Sequence, residues 1–234
     1  MTEFFGELYL RSTRPFLGEA LTLAELAFLR GHLPPGRVLD LGCGHGRHLE
    51  GLPQAIGVDL DHGSLVEAGA FRPVARGDFR ALPFRDGAFD GVFAWYNSLS
   101  TFEPRVTQAL LTEAARCLKV GGTFIVQGSH PQHAVAHPSA LFDDRLPDGS
   151  HLHEQTVWST ALRRDDIARR LTLPDGRVMA ASFFIHYYEV DEWRALLSAA
   201  GLELQWVYGG VGVGEGVTVS NTSSDVIAGA YKRG

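Results

Sequence analysis

The stretch that decides the fold covers residues 38–48 and reads Val38-Leu39-Asp40-Leu41-Gly42-Cys43-Gly44-His45-Gly46-Arg47-His48. It begins as a short apolar run typical of a buried strand, passes into a glycine-rich turn, and predicts a short helix from near Gly46. Glycines let the backbone approach a ligand closely, and a helix N-terminus presents unpaired N–H groups to it. These features indicate a nucleotide-like ligand at the turn.

The spacing of the three glycines separates this turn from the dinucleotide-binding fingerprint. That fingerprint is G-x-G-x-x-G, whose third glycine would fall at position 47, where this chain has Arg47. Asp40 lies directly before the turn, and a carboxylate there is unfavourable for a pyrophosphate but suits an ammonium group. An NAD-dependent oxidoreductase is therefore the weaker of two enzyme hypotheses.

Strand-like and helix-like segments alternate on both sides of this stretch. Helical spacing of apolar residues predicts helices over residues 21–33, 64–70, 104–118 and 191–200. Short apolar runs predict seven strands, over residues 37–41, 55–60, 73–76, 89–96, 123–127, 202–208 and 226–231. Such alternation predicts an α/β fold whose seven-stranded, mostly parallel sheet is doubly wound, with helices on both faces.

Residues 129–185 depart from this alternation. Residues 128–149 are rich in His, Pro and Asp and predict a loop. Strand-like runs over 168–173 and 177–187 flank Pro174-Asp175-Gly176, a favourable turn sequence. We therefore expect one domain over residues 1–234, with 129–185 as an antiparallel insertion after the fifth strand that forms a lid or acceptor-binding subdomain.

Two further acids follow the next two predicted strands. Asp59 ends the second strand, where an acid can accept both hydrogen bonds of a ribose, although it could instead cap the following helix, as Asp61 could. Asp78 closes the third strand and can accept a hydrogen bond from an adenine amino group, although an ordinary turn Asp fits there too. The order Asp40, Asp59, Asp78 favours the functional interpretation.

These residues closely resemble the class I S-adenosylmethionine-dependent methyltransferases. Residues 38–46 are similar to the first motif of that family, residues 57–60 to its second acidic motif, and Gly77-Asp78 to its adenine-binding turn. Three later segments also resemble family motifs: residues 82–90 before the fourth strand, residues 116–122 (RCLKVGG, with Val120 replacing the usual proline), and the late helix and strand from 192 to 202.

The resemblance implies S-adenosylmethionine as cofactor and S-adenosylhomocysteine as product. By it, Asp40, Gly42 and Gly44 would hold the methionine end of the cofactor, Asp59 the ribose, and Asp78 with Phe79 the adenine. Trp95 and Asn97 would line the methyl-transfer region, and Cys43, Arg47 and Leu60 belong to the same cofactor-binding motifs. The family contains a subgroup whose N-terminal segment folds over the cofactor, which makes Tyr9 and Arg14 candidates to cover it; the alternative is a flexible terminus.

Methyl transfer from a sulfonium is an in-line displacement, so the protein mainly supplies positioning and water exclusion. A base is needed only when the acceptor arrives protonated, and its candidates are His130 and His186. For His186, packing among aromatic strand residues is the alternative. The insertion also carries His133, His137, His151 and His153 near Asp143, Asp144 and Glu154, but their spacing matches no metal motif, so we expect no metal site.

Composition and charge restrict the partners. The formal net charge of −6 disfavours nucleic acid, and residues 94–99 lack the Asn/Asp-Pro-Pro-Tyr stretch of family members that methylate base or glutamine amino groups. No apolar run approaches the roughly 20 residues of a membrane helix, and the first ten residues do not read as a signal peptide. Cys43 and Cys117 form no C-x-x-C pair, which disfavours a disulfide or zinc framework.

We therefore expect a cytoplasmic enzyme with a small-molecule methyl acceptor and with neither a nucleic-acid nor a membrane partner. A non-catalytic protein that keeps the cofactor fold for binding or regulation remains the alternative from another class. The intact set of Asp40, Gly42, Gly44, Asp59 and Asp78 argues against decay of the site.

Overall fold

A computed structural model of the chain describes residues 5–136, 139–212, 216–220 and 222–234, without the side chains of residues 133, 134 and 139. The first half contains α1 (Glu7–Thr13), α2 (Glu19–His32), β1 (Val38–Leu41), β2 (Ala55–Asp59), α3 (His62–Ala68), β3 (Val74–Arg76), β4 (Phe89–Ala94) and α4 (Pro104–Cys117). The second half contains β5 (Leu118–Ser129), α5 (Pro131–Ala136), β6 (Ser139–Arg145), β7 (His151–Ser159), β8 (Arg164–Thr172), β9 (Val178–His186), α6 (Val190–Ala199), β10 (Leu202–Tyr208) and β11 (Asp225–Lys232).

The main sheet has seven strands in the order β10-β11-β5-β4-β1-β2-β3. β1 pairs in parallel with β2 and β4, whereas β11 runs antiparallel to β5 and β10. The predicted mostly parallel seven-stranded sheet is thus confirmed. Strand order reverses between β1 and β4, and ligands of open α/β sheets bind beyond the carboxyl ends of strands at such a switch point.

Successive residues of the central strands point into two separate hydrophobic cores, because side chains alternate across a sheet. Leu39, Leu41 and Val92 belong to the core that contains the buried residues of α4 and α6. Val38 and Phe93 belong to the other core, which contains the buried residues of α2 and α3. Helices therefore cover both faces of the sheet, and the loops at its edge are left to build a site.

The insertion forms a second, antiparallel sheet in the order β6-β7-β8-β9. One face of it carries Leu152, Ile167, Leu171 and Phe183, and these pack in a third core with Leu8 of α1. The predicted turn at residues 174–176 is present between β8 and β9, with Gly176 at a φ of +86°. The N-terminal helix and the insertion are therefore held to each other.

Two local predictions were wrong. No α-helix begins near Gly46; only a 3₁₀ turn forms, over Leu49–Gly51. The chain after Gly46 is shaped by tertiary contacts, since a Cβ built on Gly46 would lie 2.9 Å from the Cα of Ala68. Residues 128–149 are not a loop either: they hold the end of β5, α5 and the edge strand β6, and the prediction also missed β7.

The reason for the second error is that β6 and β7 are stabilised by cross-strand pairing, from Ser139 opposite Val157 to Arg145 opposite His151, and not by a strong strand pattern within either segment. Within the described residues, no helix is long and apolar enough to cross a membrane.

Candidate cofactor and active site

The glycine-rich turn leaves β1 and is fastened to the end of β2. The N–H groups of Gly42 and Cys43 donate to the carbonyl of Val58 at 2.9 and 3.1 Å. Gly42 has a φ of +87°, and a Cβ at this position would lie 2.9 Å from Ser98 Oγ and 3.1 Å from the Phe79 ring. A Cβ on Gly44, in contrast, would meet no atom within 4 Å. The backbone at Gly44 therefore faces space that a ligand can approach.

Asp40 is almost fully buried, with 2% of its surface exposed. Its Oδ2 atom has no hydrogen-bond partner among the described residues. Burial, together with the charge of Asp59, raises the pKa of Asp40 to about 8, although Arg47 acts in the opposite direction. A buried carboxyl oxygen without a partner is costly and points to a missing cationic or donor group.

Asp59 ties the second acidic motif to the glycine-rich turn. Its Oδ2 accepts the N–H of Gly44 at 2.9 Å, and its Oδ1 accepts the N–H of Asp61 at 3.0 Å. Burial raises the pKa of Asp59, while these backbone hydrogen bonds lower it. An ionised carboxylate offers about four acceptor positions, so two remain for further donors. Asp61, not Asp59, caps the N-terminus of α3: its Oδ2 accepts a hydrogen bond from the N–H of Ser64 at 2.7 Å.

Arg47 and His48 turn inward from the glycine-rich turn and meet Glu25 of α2. Glu25 Oε2 accepts a short hydrogen bond from Arg47 Nη1 and one of 3.0 Å from His48 Nε2. All three side chains are largely buried. Arg47 Nη2 is buried and has no hydrogen-bond partner within the described ranges. The turn thus holds one acid, Asp40, and one guanidinium, Arg47, each with a polar atom still to be satisfied.

The segment after β4 has a strained backbone. Tyr96 and Asn97 have φ values of +55° and +60°, the left-handed region that side chains other than glycine rarely adopt. Asn97 Nδ2 donates to Ser129 Oγ at 3.0 Å, and Asn97 Oδ1 accepts the N–H of Ser129 at 2.8 Å. These bonds join the ends of β4 and β5 and hold the unusual conformation. Strain of this kind concentrates at functional sites.

Tyr9 of α1 lies over the same region. Burial raises the pKa of Tyr9 well above its usual range, with the neighbouring Tyr96, Arg47, Asp59 and Arg169 contributing electrostatically. Arg169 of β8 forms an ion pair with Glu154 and donates to Ser12 Oγ and Thr13 Oγ1 at 2.9 and 2.7 Å. The insertion, α1 and the glycine-rich turn therefore meet on one side of the sheet.

Arg14 occupies a more exposed position at the edge of this region. Its Nη1 forms an ion pair with Glu67 of α3 at 2.8 Å. Burial, followed by the charge of Arg14, lowers the pKa of His45 to about 4. Arg14 thus contacts the outer end of the glycine-rich turn rather than its inner wall.

The structure separates the predicted adenine-binding pair. Phe79 lies against Gly42, as the short distance to a Cβ there shows. Asp78 is partly exposed and forms a bidentate ion pair with Arg80, the Nη2–Oδ2 distance being 2.5 Å. The hydrogen bonds from Arg80 hold the pKa of Asp78 below its ordinary value.

Two other predicted site residues, Trp95 and Cys43, are buried, whereas a third, Leu60, is exposed. Trp95 is buried, with its ring centroid 5.9 Å from that of Phe28 and 6.1 Å from that of His48. Cys43 is buried, and burial raises the pKa of its thiol. Leu60 is exposed, and its carbonyl accepts a hydrogen bond from Arg76. Tyr96 lies near the glycine-rich turn: the guanidinium carbon of Arg47 is 5.9 Å from the centre of its ring, and Tyr96 interacts electrostatically with Tyr9.

The two candidate bases anchor the insertion at its ends. His130 is buried directly after Ser129; its N–H donates to the carbonyl of Ser224 at 2.8 Å, and its Nδ1 accepts the N–H of Gln132. The N–H of His186 donates to the carbonyl of Ser100 at 2.7 Å, and its ring packs against Tyr188. Burial lowers the pKa of His186.

Of the remaining histidines of the insertion, the structure describes the side chains of His151 and His153. His151 and His153 both contact Asp143, at 2.6 and 3.4 Å, on an exposed surface. The side chain of His133 and the whole of His137 lie outside the described residues. Among the described residues, no group of three or more His, Cys, Asp or Glu side chains could hold a metal ion.

Comparison with known proteins agrees with this arrangement. Residues 38–122 match the family model of a methyltransferase domain. A demethylmenaquinone methyltransferase from Renibacterium salmoninarum is 34% identical over 109 residues, which is 43% of this chain and 45% of that protein. The chain spans about half the length of the curated relatives it matches first.

Two solved structures share the fold. An S-adenosylmethionine-dependent methyltransferase from Clostridium acetobutylicum aligns with a TM-score of 0.79 at 16% identity, over 97% of both chains. An amino pentose methyltransferase from Micromonospora echinaspora, solved with S-adenosylmethionine bound, aligns with a TM-score of 0.63 at 18% identity, also over 97% of both chains.

Proposed function

On the basis of the match of residues 38–122 to a methyltransferase domain, we propose that the chain is a class I S-adenosylmethionine-dependent methyltransferase, which transfers a methyl group from S-adenosylmethionine to a small-molecule acceptor by in-line displacement. One observation carries this proposal: Asp40 Oδ2 and Arg47 Nη2 are both buried and, among the described residues, both lack a hydrogen-bond partner. In the sequence they lie on either side of Gly44, where a Cβ would meet no atom within 4 Å, and they are close enough in space to interact electrostatically.

These two groups are complementary to the amino-acid end of the cofactor, because Asp40 becomes an anion when it loses its proton beside a bound ammonium group. A carboxyl group suits an ammonium ion, and a guanidinium suits a carboxylate. Asp40 would therefore take the α-ammonium group and Arg47 the α-carboxylate. A dinucleotide offers no ammonium group to Asp40, so the same observation disfavours NAD.

The other contacts are proposed from the positions of the remaining motif residues. Asp59 would use its two unused acceptor positions for the ribose hydroxyls. Phe79 would pack on the adenine, and Asp78 would accept from its amino group after leaving Arg80; an exposed ion pair is worth about 0–1 kcal/mol, so this exchange costs little. Tyr9 would close the site from above, with Arg14 at its outer edge.

When bound, S-adenosylmethionine supplies an activated methyl group on a sulfonium, so the chain itself has little covalent chemistry to perform. Asn97 joins the ends of β4 and β5 through its hydrogen bonds with Ser129, and the acceptor would lie next to them. His130 and His186 are the candidate bases, and the lowered pKa of His186 keeps that ring neutral near pH 7. Residues 129–185 would form the acceptor wall and exclude water.

A small acceptor fits the chemistry of the region better than a nucleic acid. The formal net charge is −6, and phosphate binding requires a basic surface. The two named relatives act, by their names, on demethylmenaquinone and on an amino pentose. Amines and phenols are therefore the first acceptor classes to test.

Calorimetry with the purified chain tests the proposal. S-adenosylhomocysteine should bind in the micromolar range, on the order of 8 kcal/mol, whereas NADH should give no heat. Release of S-adenosylhomocysteine during incubation with panels of amines, phenols and carboxylates would then identify the acceptor. Absence of both heat and a thermal shift at millimolar S-adenosylhomocysteine would overturn the proposed function.

A further inference from the structure

Glu25 is a buried acid on the apolar side of α2, remote in sequence from every motif of the site. Only 4% of its surface is exposed, and its neighbours Leu26, Phe28 and Leu29 on the same helix are buried as well. Burying a carboxylate costs several kcal/mol unless hydrogen bonds and an opposite charge offset it. Its presence among core residues calls for a specific role.

The contacts of Glu25 show which charge it balances. Its Oε2 accepts hydrogen bonds from Arg47 Nη1 and His48 Nε2. Burial alone would raise the pKa of Glu25, but the hydrogen bonds from His48 and Arg47 outweigh it and hold the pKa at about 2. Burial lowers the pKa of His48, so that ring is the neutral donor. The charge pair is therefore Glu25 with Arg47.

This pairing fixes one edge of the guanidinium. Arg47 Nη1 also lies 3.3 Å from Thr22 Oγ1, one turn before Glu25, and the guanidinium carbon lies 5.9 Å from the centre of the Tyr96 ring. Nη2 is left buried with no hydrogen-bond partner within the described ranges. The arrangement points a second donor edge of Arg47 away from α2.

A competing arrangement explains why this restraint matters. Asp40 is the nearby acid with an unsatisfied oxygen, and it already interacts electrostatically with Arg47. Without Glu25, Arg47 could swing to Asp40 and form an internal ion pair. That pair would satisfy both residues with each other and leave neither for a zwitterionic ligand.

We infer that Glu25 is a positioning residue, which holds Arg47 apart from Asp40 and aims its free edge at the α-carboxylate of the cofactor. The inference rests on the proposed function, since it assigns the role of Glu25 through that same cofactor. Glu25 would not touch the cofactor itself. Its effect is restricted to ligands that carry the amino-acid end.

This restriction defines the experiment. Glu25→Gln keeps the size of the side chain but removes its charge, and calorimetry would compare S-adenosylhomocysteine with 5′-methylthioadenosine, which lacks the amino-acid end. S-adenosylhomocysteine should bind at least about tenfold more weakly to the variant, as expected when a charge-assisted hydrogen bond is disturbed. Binding of 5′-methylthioadenosine should change less than about threefold. Glu19→Gln, an exposed position on the same helix, is the matched control and should change neither.

If the role of Glu25 were purely structural, Glu25→Gln would weaken the binding of both ligands by the same factor, and that result would overturn the inference. Unchanged binding of S-adenosylhomocysteine to Glu25→Gln would overturn it as well. Should that variant fail to fold, Glu25→Asp keeps the charge but withdraws it by one methylene, and the same selective loss is expected. In a chain that already carries Arg47→Met, adding Glu25→Gln should weaken S-adenosylhomocysteine binding by less than about threefold more. Failure of the unaltered chain to bind S-adenosylhomocysteine would instead refute the proposed function, and this inference with it.

Discussion

Binding of S-adenosylhomocysteine at pH 7 should release close to one proton from the protein. Asp40 is buried, and burial together with Asp59 raises its pKa to about 8, so the ligand-free side chain is mostly protonated at pH 7. An ammonium group placed beside it stabilises the carboxylate and lowers that pKa. The proton must then leave as the ligand binds.

The magnitude follows from the pKa of about 8. At pH 7 about nine-tenths of the Asp40 side chains carry a proton, so about 0.9 protons should be released per ligand. If the pKa in the complex lies below about 5, affinity should rise roughly 25-fold between about pH 6 and pH 7.5, which is about 1.9 kcal/mol. Histidines of the turn do not interfere, because burial lowers the pKa of His45 to about 4 and lowers that of His48 too.

Calorimetry in two buffers with different ionisation enthalpies measures this proton release directly. The observed binding enthalpy should change with the buffer for the unaltered chain. For Asp40→Asn, which has no proton to lose, it should not, and the affinity of that variant should be weak and nearly independent of pH. Tight binding by the unaltered chain without proton release and without pH dependence would refute the assignment of Asp40 to the ammonium group.

Four further outcomes are expected. Because the folded-state pKa of Asp40 is raised above its ordinary 3.8, its contribution to stability is fully present below about pH 4 and lost as pH rises through about 8. The free energy of unfolding in urea should therefore fall more steeply with pH over this window for the ligand-free chain than for Asp40→Asn. Asp59→Ala should weaken S-adenosylhomocysteine binding by about 2–4 kcal/mol and lower the melting temperature, since Gly44 and Asp61 lose the acceptor of their N–H groups; calorimetry showing unchanged affinity would place the ribose elsewhere. Asn97→Ala should be about 1 kcal/mol less stable than Asn97→Gly in urea, because both variants lose the hydrogen bonds to Ser129 but only alanine is strained at a φ of +60°. Equal stabilities would show that the backbone relaxes. Replacing residues 131–145, which hold α5 and β6, with a Gly/Ser linker should reduce turnover of an identified acceptor more than about tenfold while leaving S-adenosylhomocysteine affinity within about threefold; full turnover would show that the insertion is not the acceptor wall.

The main sheet could be predicted from the sequence because its signals are local. Each parallel strand is a short apolar run that borders on a turn, and α2, α4 and α6 carry apolar residues at helical spacing. Predicted ends agree with the structure to within about two residues for β1, β2, β3 and β4. The insertion was harder to predict from the sequence, since β6 and β7 depend on antiparallel partner strands rather than on a strong strand pattern of their own.

Site residues divide in the same way. Asp40, Gly42, Gly44 and Asp59 could be selected from the sequence, because each lies at the end of a predicted strand and carries a recognisable spacing. Glu25 could not, because its only signal was that of an acid on an apolar helix face. Tyr96 was one of several aromatic residues in the sequence, and the sequence did not show which of them lies near Arg47. Asp78 was selectable, but its ion pair with Arg80 depends on side-chain geometry.

What the sequence determined by itself is the position of the seven main-sheet strands along the chain, the glycine-rich turn and the acids that follow it, because these depend on backbone preferences and on neighbours within a few residues. Only the tertiary structure decided which charges meet. It joins Arg47 to Glu25, 22 positions away; Asp59 to Gly44, 15 away; and Asn97 to Ser129, 32 away. It also brings Tyr9 and Arg169, which are far apart in the sequence, close enough to interact electrostatically. The physical reason is that burial and pairing energies are set by distances in space, which a linear pattern does not contain.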